Sequence, residues 1–320
     1  MEENDRASTI EKLWLLEKNI NKVIVGKEEA VRLALITLLC KGHLLLEDVP
    51  GVGKTVLAKA IAKSISAKFN RIQFTPDLLP NDVTGVSIFN QKNMEFEFRE
   101  GPIFANIVLG DEINRATPRT QSSLLECMEE KQVTIDGVTH ILPQLFFVTA
   151  TQNPVEQHGT FPLPEAQLDR FFMCIQLGYP SESQEIAILN AQVEHHPLED
   201  ITPVISIEEI NALQQEVCRV HISNSIKAYL VAIVRATRES KDINLGASPR
   251  ASLALMRACQ AYALFNQKDF VTPQMIKELA PSILCHRIII NPRAHISGTD
   301  SEKIILNILN SVVVPIDDEE

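Results

Sequence analysis

The residues best suited to chemistry lie in a short glycine-bearing segment, PGVGKT, at positions 50 to 55. Gly51 and Gly53 let the backbone curl so that successive N–H groups face an anion, and the start of the following helix adds the positive end of its dipole. Lys54 in a first helical turn is disfavoured by that dipole unless a bound anion offsets its charge. The hydroxyl of Thr55 can coordinate Mg²⁺. We therefore predict that this loop holds the phosphates of a nucleoside triphosphate.

The loop departs from the general pattern G-x-x-x-x-G-K-[ST] at one place, because Asp48 occupies the first glycine position. An ordinary strand-turn-helix corner is the alternative interpretation, but such a corner does not require the Gly-Lys-Thr run. We expect Pro50, Val52 and Val56 to complete the lining of the nucleotide site.

A buried strand later in the chain ends in two acidic residues, Asp111 and Glu112. Ligands gather at the carboxyl ends of strands in open α/β sheets. We expect Asp111 to hold Mg²⁺, in part through water, and Glu112 to be the general base that positions and polarises the attacking water. An apolar run ending in Asp-Glu is by itself often a solvated strand end. The hydrolytic interpretation therefore depends on its combination with Lys54.

Three further polar residues are candidates for contact with the triphosphate. Asn153 follows a third apolar strand and either bonds water or γ-phosphate or simply opens an Asn-Pro turn. Arg170 lies among apolar residues and serves either the nucleotide of a neighbouring subunit or a surface ion pair. Arg250 follows Ser248 and Pro249, which fit the N-cap and first position of a helix. A positive charge at the start of a helix is unfavourable unless an anion lies nearby, so we predict that Arg250 reaches a phosphate of the nucleotide. Such a contact would couple closure of the second domain to the presence of nucleotide. The alternative is an ordinary exposed arginine.

Composition excludes several function classes. The chain has 320 residues, is 45% hydrophobic and carries a formal charge of −11, which indicates a globular protein and argues against general binding to nucleic acid. The N-terminus lacks a signal-peptide pattern, and no apolar run is long enough to span a membrane. The 6 cysteines lie far apart and the histidines lack metal-ligand spacing, so we expect reduced thiols, a cytoplasmic protein and no zinc site.

Short apolar runs, which are typical of buried strands, alternate with segments of helical periodicity as far as about Leu177. The strands are expected at His43–Leu46, Arg71–Thr75, Ile107–Gly110, Leu145–Thr151 and Met173–Leu177. This alternation predicts an α/β core, over residues 1–179, with a five-stranded parallel sheet flanked by helices. Helical periodicity then takes over and predicts an all-α domain over residues 180–320.

Two segments interrupt the α/β alternation. The insert near residues 84–102 alternates Phe96 and Phe98 with charges, as a short strand does. In the segment near residues 133–141, Asp136-Gly137 separates two β-branched runs and indicates a β-hairpin. Each segment is either surface decoration or a functional projection.

Taken together, these motifs resemble the MoxR family of AAA+ ATPases across nearly the whole chain. The resemblance rests on LLEDVPGVGKT at 45–55, FEFREGPIFAN at 96–106, LGDEINRATPRTQSSLLECMEE at 109–130, ATQNPVEQHGTFPLPEAQLDRF at 150–171 and SPR at 248–250.

The resemblance implies a P-loop AAA+ core with a helical lid, assembled as a hexameric ring that binds ATP and Mg²⁺ at subunit interfaces. It implies that Asn153 has the sensor 1 role, Arg170 that of the arginine finger and Arg250 that of sensor 2. It also implies adenine contacts near Val25 and Gly26.

The same resemblance identifies the two interruptions with the helix-2 insert and the pre-sensor 1 hairpin of the family, which face the centre or one rim of the ring. Arg115 and Arg119, on the helix after the acidic pair, are rival interface arginines.

The function that the sequence favours is Mg²⁺-dependent ATP hydrolysis by a ring that remodels or matures protein complexes. Metal or cofactor insertion and a von Willebrand factor A domain partner are further implications of the resemblance. A nucleotide-gated binding module with negligible hydrolysis is one alternative. A nucleic-acid motor on the same core is another, disfavoured by net acidity and an aromatic content of only 5%.

Overall fold

The protein is described by a computed structural model that covers residues 3–154, 159–296 and 298–314. The strands are β1 (Leu44–Glu47), β2 (Phe69–Gln73), β3 (Gly85–Asn90), β4 (Glu95–Glu100), β5 (Ile107–Asp111), β6 (Gln132–Ile135), β7 (Val138–Ile141), β8 (Phe147–Gln152), β9 (Met173–Ile175), β10 (Ile243–Leu245) and β11 (Ile289–Ile290). The α-helices are α1 (Glu3–Asn21), α2 (Glu28–Leu39), α3 (Lys54–Ser64), α4 (Pro80–Thr84), α5 (Pro118–Glu130), α6 (Glu165–Leu168), α7 (Glu182–Ala191), α8 (Ile207–Val217), α9 (Asn224–Glu239), α10 (Pro249–Phe265), α11 (Pro273–Leu284), α12 (Pro292–Ile296) and α13 (Ser301–Ser311).

The central sheet has the order β2-β5-β8-β1-β9, and all of its strand pairs are parallel. The five predicted strands and their parallel arrangement are confirmed, with ends that differ by a few residues. Leu44, Leu45 and Leu46 are fully buried, as expected for a strand covered on both faces. Because the strands are parallel, all five carboxyl ends lie along one side of the sheet, the carboxyl edge. The opposite side is the amino edge.

The two interruptions are antiparallel hairpins. The first pairs β3 with β4. The second pairs β6 with β7 around Asp136 and Gly137, whose φ angles of 50° and 79° fit a type I′ turn, so the predicted hairpin is confirmed. The Phe98 ring of β4 stacks on the His140 ring of β7 with centroids 3.9 Å apart. The two hairpins are therefore in contact.

The region after the sheet is mainly helical. Among its helices are α9, which follows the N-cap Ser223, and α10, which begins after Ser248 as predicted and ends at Phe265. A short antiparallel pair, β10 with β11, is an addition to the predicted all-α lid. The helices also pack on the N-terminal segment: Trp14 Nε1 donates to Phe265 O at 2.8 Å, and Gln214 Nε2 donates to Leu38 O at 2.8 Å.

Within the described ranges, we find no helix with the length and apolar content needed to cross a membrane.

Candidate functional site

The phosphate-binding loop lies between β1 and α3, at the carboxyl edge of the sheet. Gly51 and Gly53 have φ angles of 88° and 100°, a region that other residues adopt only at a cost. A Cβ atom at either position would meet no atom within 4 Å, so the backbone conformation, and not space, requires glycine here. The open surface above the two glycines and the start of α3 at Lys54 fit a bound triphosphate.

The amino group of Lys54 lies over the start of the loop. It donates to the carbonyl oxygens of Asp48 at 2.6 Å and Val49 at 3.2 Å. Burial lowers the pKa of Lys54, while the charges of Asp48, Asp111 and Glu112 act in the opposite direction. The ammonium is therefore close to three carboxylates, and the predicted cationic and acidic residues do come together.

The Asp48 side chain explains the departure from the general loop pattern. It is buried, and its Oδ2 accepts the backbone N–H groups of Leu177 at 2.5 Å and Gly178 at 2.9 Å. Those residues follow β9, which neighbours β1 in the sheet. Asp48 thus ties the phosphate loop to the chain after β9, and a glycine at this position would leave one buried and one half-buried N–H group without this acceptor.

Asp111 ends β5 at the carboxyl edge. Its Oδ1 accepts the hydroxyl of Thr151 at 2.6 Å, and its Oδ2 lies 2.6 Å from Nη2 of Arg71. Both oxygens are engaged, which fits the expectation that Asp111 acts on Mg²⁺ through water. Thr55, the other predicted metal ligand, is in the first turn of α3.

Glu112 directly follows β5 in the left-handed conformation, with a φ angle of 57°. Such a backbone costs on the order of 1–3 kcal/mol for a residue other than glycine and is concentrated at functional sites. Glu112 Oε2 accepts Gln73 Nε2 at 2.7 Å and Arg115 Nη1 at 2.9 Å. Sequence reasoning missed Gln73, whose signal was a polar residue at the end of the strand beside β5.

Asn153 directly follows β8, and β8 lies between β5 and β1. Its side chain is buried at the carboxyl edge, between the acidic pair and the phosphate loop. This location fits the predicted contact with water or γ-phosphate. Residues 155–158 of the resembling segment lie outside the described residues.

Arg170 and Arg250 lie together at the amino edge. Glu129, near the end of α5, joins them: Arg170 Nε is 3.2 Å from Glu129 Oε2, and Arg250 Nη2 is 2.8 Å from Glu129 Oε1. The three side chains line a cavity of about 330 Å³ that also includes Gly42, which precedes β1. Sequence reasoning did not identify Glu129.

Arg250 lies away from the phosphate loop of its own chain. The phosphate loop follows the carboxyl end of β1, whereas Arg250 lies near its amino end, so roughly the length of a four-residue strand, about 13 Å, separates them. The predicted contact of Arg250 with nucleotide phosphate stays a prediction. The anion that offsets the dipole of α10 is the carboxylate of Glu129. The rival arginines lie elsewhere: Arg115 is beside Glu112, and Arg119 is exposed in the first turn of α5.

Gly26, one of the predicted adenine contacts, lies before α2 with a φ angle of 70°. Its carbonyl oxygen accepts Gln184 Nε2 of α7 at 3.0 Å, so it contacts the helical region directly. It lines a cleft of about 780 Å³ between the end of β9 and α11, together with Leu177 and Ser282. Val25 precedes Gly26 and is half-buried.

Comparison with known protein families gives two matches. The profile of the ATPase family associated with various cellular activities (AAA) matches residues 43–173, and that of the AAA lid domain matches residues 235–308. The first range contains the phosphate loop, the acidic pair and Arg170, and the second contains Arg250.

Individual relatives cover most of the chain. YeaC of Bacillus subtilis, an uncharacterised protein, is 56% identical over 93% of each chain. Chaperone MoxR1 of Mycobacterium tuberculosis is 39% identical over 92% of this chain and 80% of its own. Protein MoxR of Methylorubrum extorquens is 28% identical over 86% of this chain and 87% of its own. A crystal structure from Cytophaga hutchinsonii, assigned as an ATPase, superposes with a TM-score of 0.91 and 41% identity over 98% of both chains.

Proposed function

Since the chain belongs to the MoxR family of AAA+ ATPases, we propose that it is a Mg²⁺-dependent ATP hydrolase whose complete active site forms between neighbouring subunits of a ring. One observation carries this proposal: the candidate site residues are divided between opposite edges of one sheet. Lys54, Asp111 and Glu112 belong to the carboxyl edge, and Arg170 and Arg250 to the amino edge.

A head-to-tail contact between subunits joins the amino edge of one chain to the carboxyl edge of the next. Such a contact is heterologous, and its repetition closes into a ring when the rotation permits. In the proposed hexamer, each nucleotide is bound by one subunit and receives arginines from its neighbour. The position of Arg250 supports this arrangement, because Arg250 and Arg170 both pair with Glu129 at the amino edge.

The residues of the carboxyl edge suit ATP and Mg²⁺. The loop N–H groups and Lys54 would hold the β- and γ-phosphates, and Thr55 with Asp111 would hold Mg²⁺. When bound, Mg²⁺ neutralises charge that develops on the phosphate oxygens. The cleft at Gly26 would receive the adenine.

The proposed base is Glu112, which would orient and polarise the attacking water with help from Asn153. Gln73 and Arg115 both donate to Oε2, so the other carboxylate oxygen, Oε1, would be the one that accepts the attacking water. An arginine supplied by a neighbour to the transition-state charge is worth about 10³–10⁵ in rate. That is roughly 4–7 kcal/mol, far more than the surface ion pair with Glu129.

Subunit mixing tests the divided site. Arg170→Ala and Lys54→Ala should each abolish steady-state phosphate release, for different reasons. In a mixture, the Lys54→Ala subunit still carries Arg170 and can serve the intact phosphate loop of its neighbour, so activity should return in part. If both variants form the wild-type oligomer and bind each other but no activity returns, the divided site is wrong. Wild-type protein without measurable turnover in the presence of candidate partners would instead indicate a nucleotide-gated binding module.

We propose remodelling or maturation of a protein complex as the use of this hydrolysis. The chaperone name of the Mycobacterium tuberculosis relative and the two contacting hairpins support it. A von Willebrand factor A domain protein is the proposed class of partner, and insertion of a metal or cofactor one proposed outcome. A cytoplasmic location stays a prediction from sequence. A Glu112→Gln chain, which should hold ATP without turnover, is the bait for client capture. Nucleic-acid-stimulated phosphate release would instead favour the motor alternative.

A further inference from the structure

A buried arginine of the helical region forms hydrogen bonds with the loop that carries Arg170. Arg287 follows α11, is 7% exposed and uses every nitrogen of its guanidinium. Nε donates to Asp169 Oδ1 at 2.8 Å, Nη2 to Phe171 O at 2.5 Å and Nη1 to Phe172 O at 3.1 Å. A further bond joins Nη1 to the carbonyl of Ile283 in α11.

These contacts lie on both sides of Arg170. One acceptor belongs to the residue before it, and two belong to the residues after it, so Arg287 fixes the backbone from which the Arg170 side chain extends. The same loop has two more contacts with the helical region. His286 Nε2 lies 3.1 Å from Phe171 O, and Ser248 Oγ donates to Asp169 Oδ2 at 3.0 Å.

The Ser248 contact also links the two amino-edge arginines. Ser248 is the N-cap of α10, yet its side chain makes no capping hydrogen bond and bonds Asp169 instead. Asp169 therefore joins Arg287 through one oxygen and the start of the Arg250 helix through the other. The relative placement of Arg170 and Arg250 is set by this single carboxylate together with Glu129.

A purely structural role is the competing explanation. A buried ion pair is weak evidence for net stability, because desolvation offsets much of its attraction. Here all but one of the donors of Arg287 are directed at a single short loop, and that loop carries a residue that must reach a neighbouring nucleotide. The planar guanidinium of an arginine donates to several acceptors in fixed directions, which the ammonium of a lysine cannot do.

We propose that Arg287 is a positioning residue for hydrolysis, holding the Asp169–Phe172 loop so that Arg170 projects toward the nucleotide of the next subunit. This rests on the proposed function, since it needs Arg170 to act between subunits. Arg287 would act through Arg170 and not on the nucleotide itself. Its effect would be exerted in the subunit that supplies Arg170 to the neighbouring site, which we call the donor side of the interface.

The first test is the kinetics of Arg287→Lys. Displacement of a catalytic group by about 1 Å costs on the order of 10²-fold in rate, so kcat should fall roughly tenfold to a hundredfold. The KM for ATP should stay within about threefold, because the phosphate loop of the same chain is untouched. The matched control is Arg219→Lys, another arginine of the helical region, which pairs with Glu216 in the same segment. It should retain wild-type kcat.

Subunit mixing then separates positioning from general damage. Arg287→Lys mixed with Lys54→Ala should recover activity, because the Lys54→Ala neighbour supplies a correctly held Arg170. In a random equimolar head-to-tail ring, roughly half of the Arg287→Lys sites gain such a neighbour. Mixing Arg287→Lys with Arg170→Ala should give no recovery, since both defects lie on the donor side.

The outcomes distinguish this proposal from the divided site itself. Recovery of Arg170→Ala by Lys54→Ala, with none for Arg287→Lys, overturns the positioning role and leaves the divided site intact. Failure of both mixtures overturns the divided site. Wild-type kcat for Arg287→Lys also overturns the positioning role. If this variant does not assemble, Asp169→Asn, which keeps the side-chain volume but weakens the same contacts, should show the same donor-side recovery, and its absence counts equally against the proposal.

Discussion

Replacing Glu112 with glutamine should separate catalysis from folding because the two effects differ greatly in size. A positioned general base contributes about 10²–10⁴ in rate, which corresponds to roughly 3–5 kcal/mol of activation free energy. The folding cost is small: glutamine keeps the volume and a side-chain oxygen that can accept Gln73, and it weakens only the half-exposed ion pair with Arg115, which is worth about 0–1 kcal/mol. Glu112 belongs to the strand end and not to the phosphate loop, so ATP affinity should be retained.

The assay combines steady-state phosphate release, equilibrium binding of a fluorescent ATP analogue and urea unfolding on the same preparations. Phosphate release should fall at least a hundredfold, while the binding constant changes by less than about threefold and the free energy of unfolding by less than about 1 kcal/mol. Glu130→Gln, an exposed acid at the end of α5, is the matched control and should match wild type. Retention of more than a tenth of wild-type turnover, with ATP binding intact, would refute the assignment of Glu112 as base.

Three further predictions concern residues that the structure, and not the sequence, explained. Asp48→Gly restores the general phosphate-loop pattern, yet it should lower the free energy of unfolding in urea by about 2–5 kcal/mol, because one buried and one half-buried N–H group lose their acceptor; a more stable variant would contradict this account. Glu129→Gln weakens the ion pairs with both amino-edge arginines and should raise phosphate release by up to about thirtyfold, because the two pairs together are worth at most about 2 kcal/mol, whereas a slower enzyme would show that Glu129 orients the arginines productively. Burial lowers the pKa of His43 from 6.5 to about 4, so the stability contributed by its neutral form is complete above about pH 6.5 and is lost as the pH falls toward 4. The loss should be about 3 kcal/mol. When urea unfolding is measured at several pH values, the free energy of unfolding should fall less steeply below pH 6.5 for His43→Gln than for wild type. The same fall in both proteins would contradict this prediction.

Local patterns were sufficient for much of the fold. The glycines of the phosphate loop, the apolar runs of the sheet and the Asp136-Gly137 turn each depend on a few consecutive residues, and the structure places all of them as expected. The two strands of the lid were missed because β10 and β11 are only three and two residues long, too short for an alternating pattern. Gln73 was missed for a different reason, since its significance depends on which strand lies beside β5.

Arg250 shows the limit of reasoning from local electrostatics. Its place in the first turn of α10 correctly indicated a nearby anion, because a cation there is unfavourable without one. The dipole argument cannot say which anion, and Glu129 lies 121 residues away in the chain. Packing of the helical region against α1, α2 and the Asp169–Phe172 loop decided that the anion is a carboxylate at the amino edge.

By itself the sequence predicted the chemistry that is proposed for this chain. The conformations open to Gly51 and Gly53, the charge of Lys54 and the order of the acidic pair after the loop are local properties, and they predict a triphosphate site whatever surrounds them. Only the tertiary structure decided that the candidate site residues lie at opposite edges of the sheet, with Arg170 at the amino edge on a loop that Arg287 contacts. That division depends on strand order and on contacts between residues more than a hundred positions apart, which local propensities do not encode.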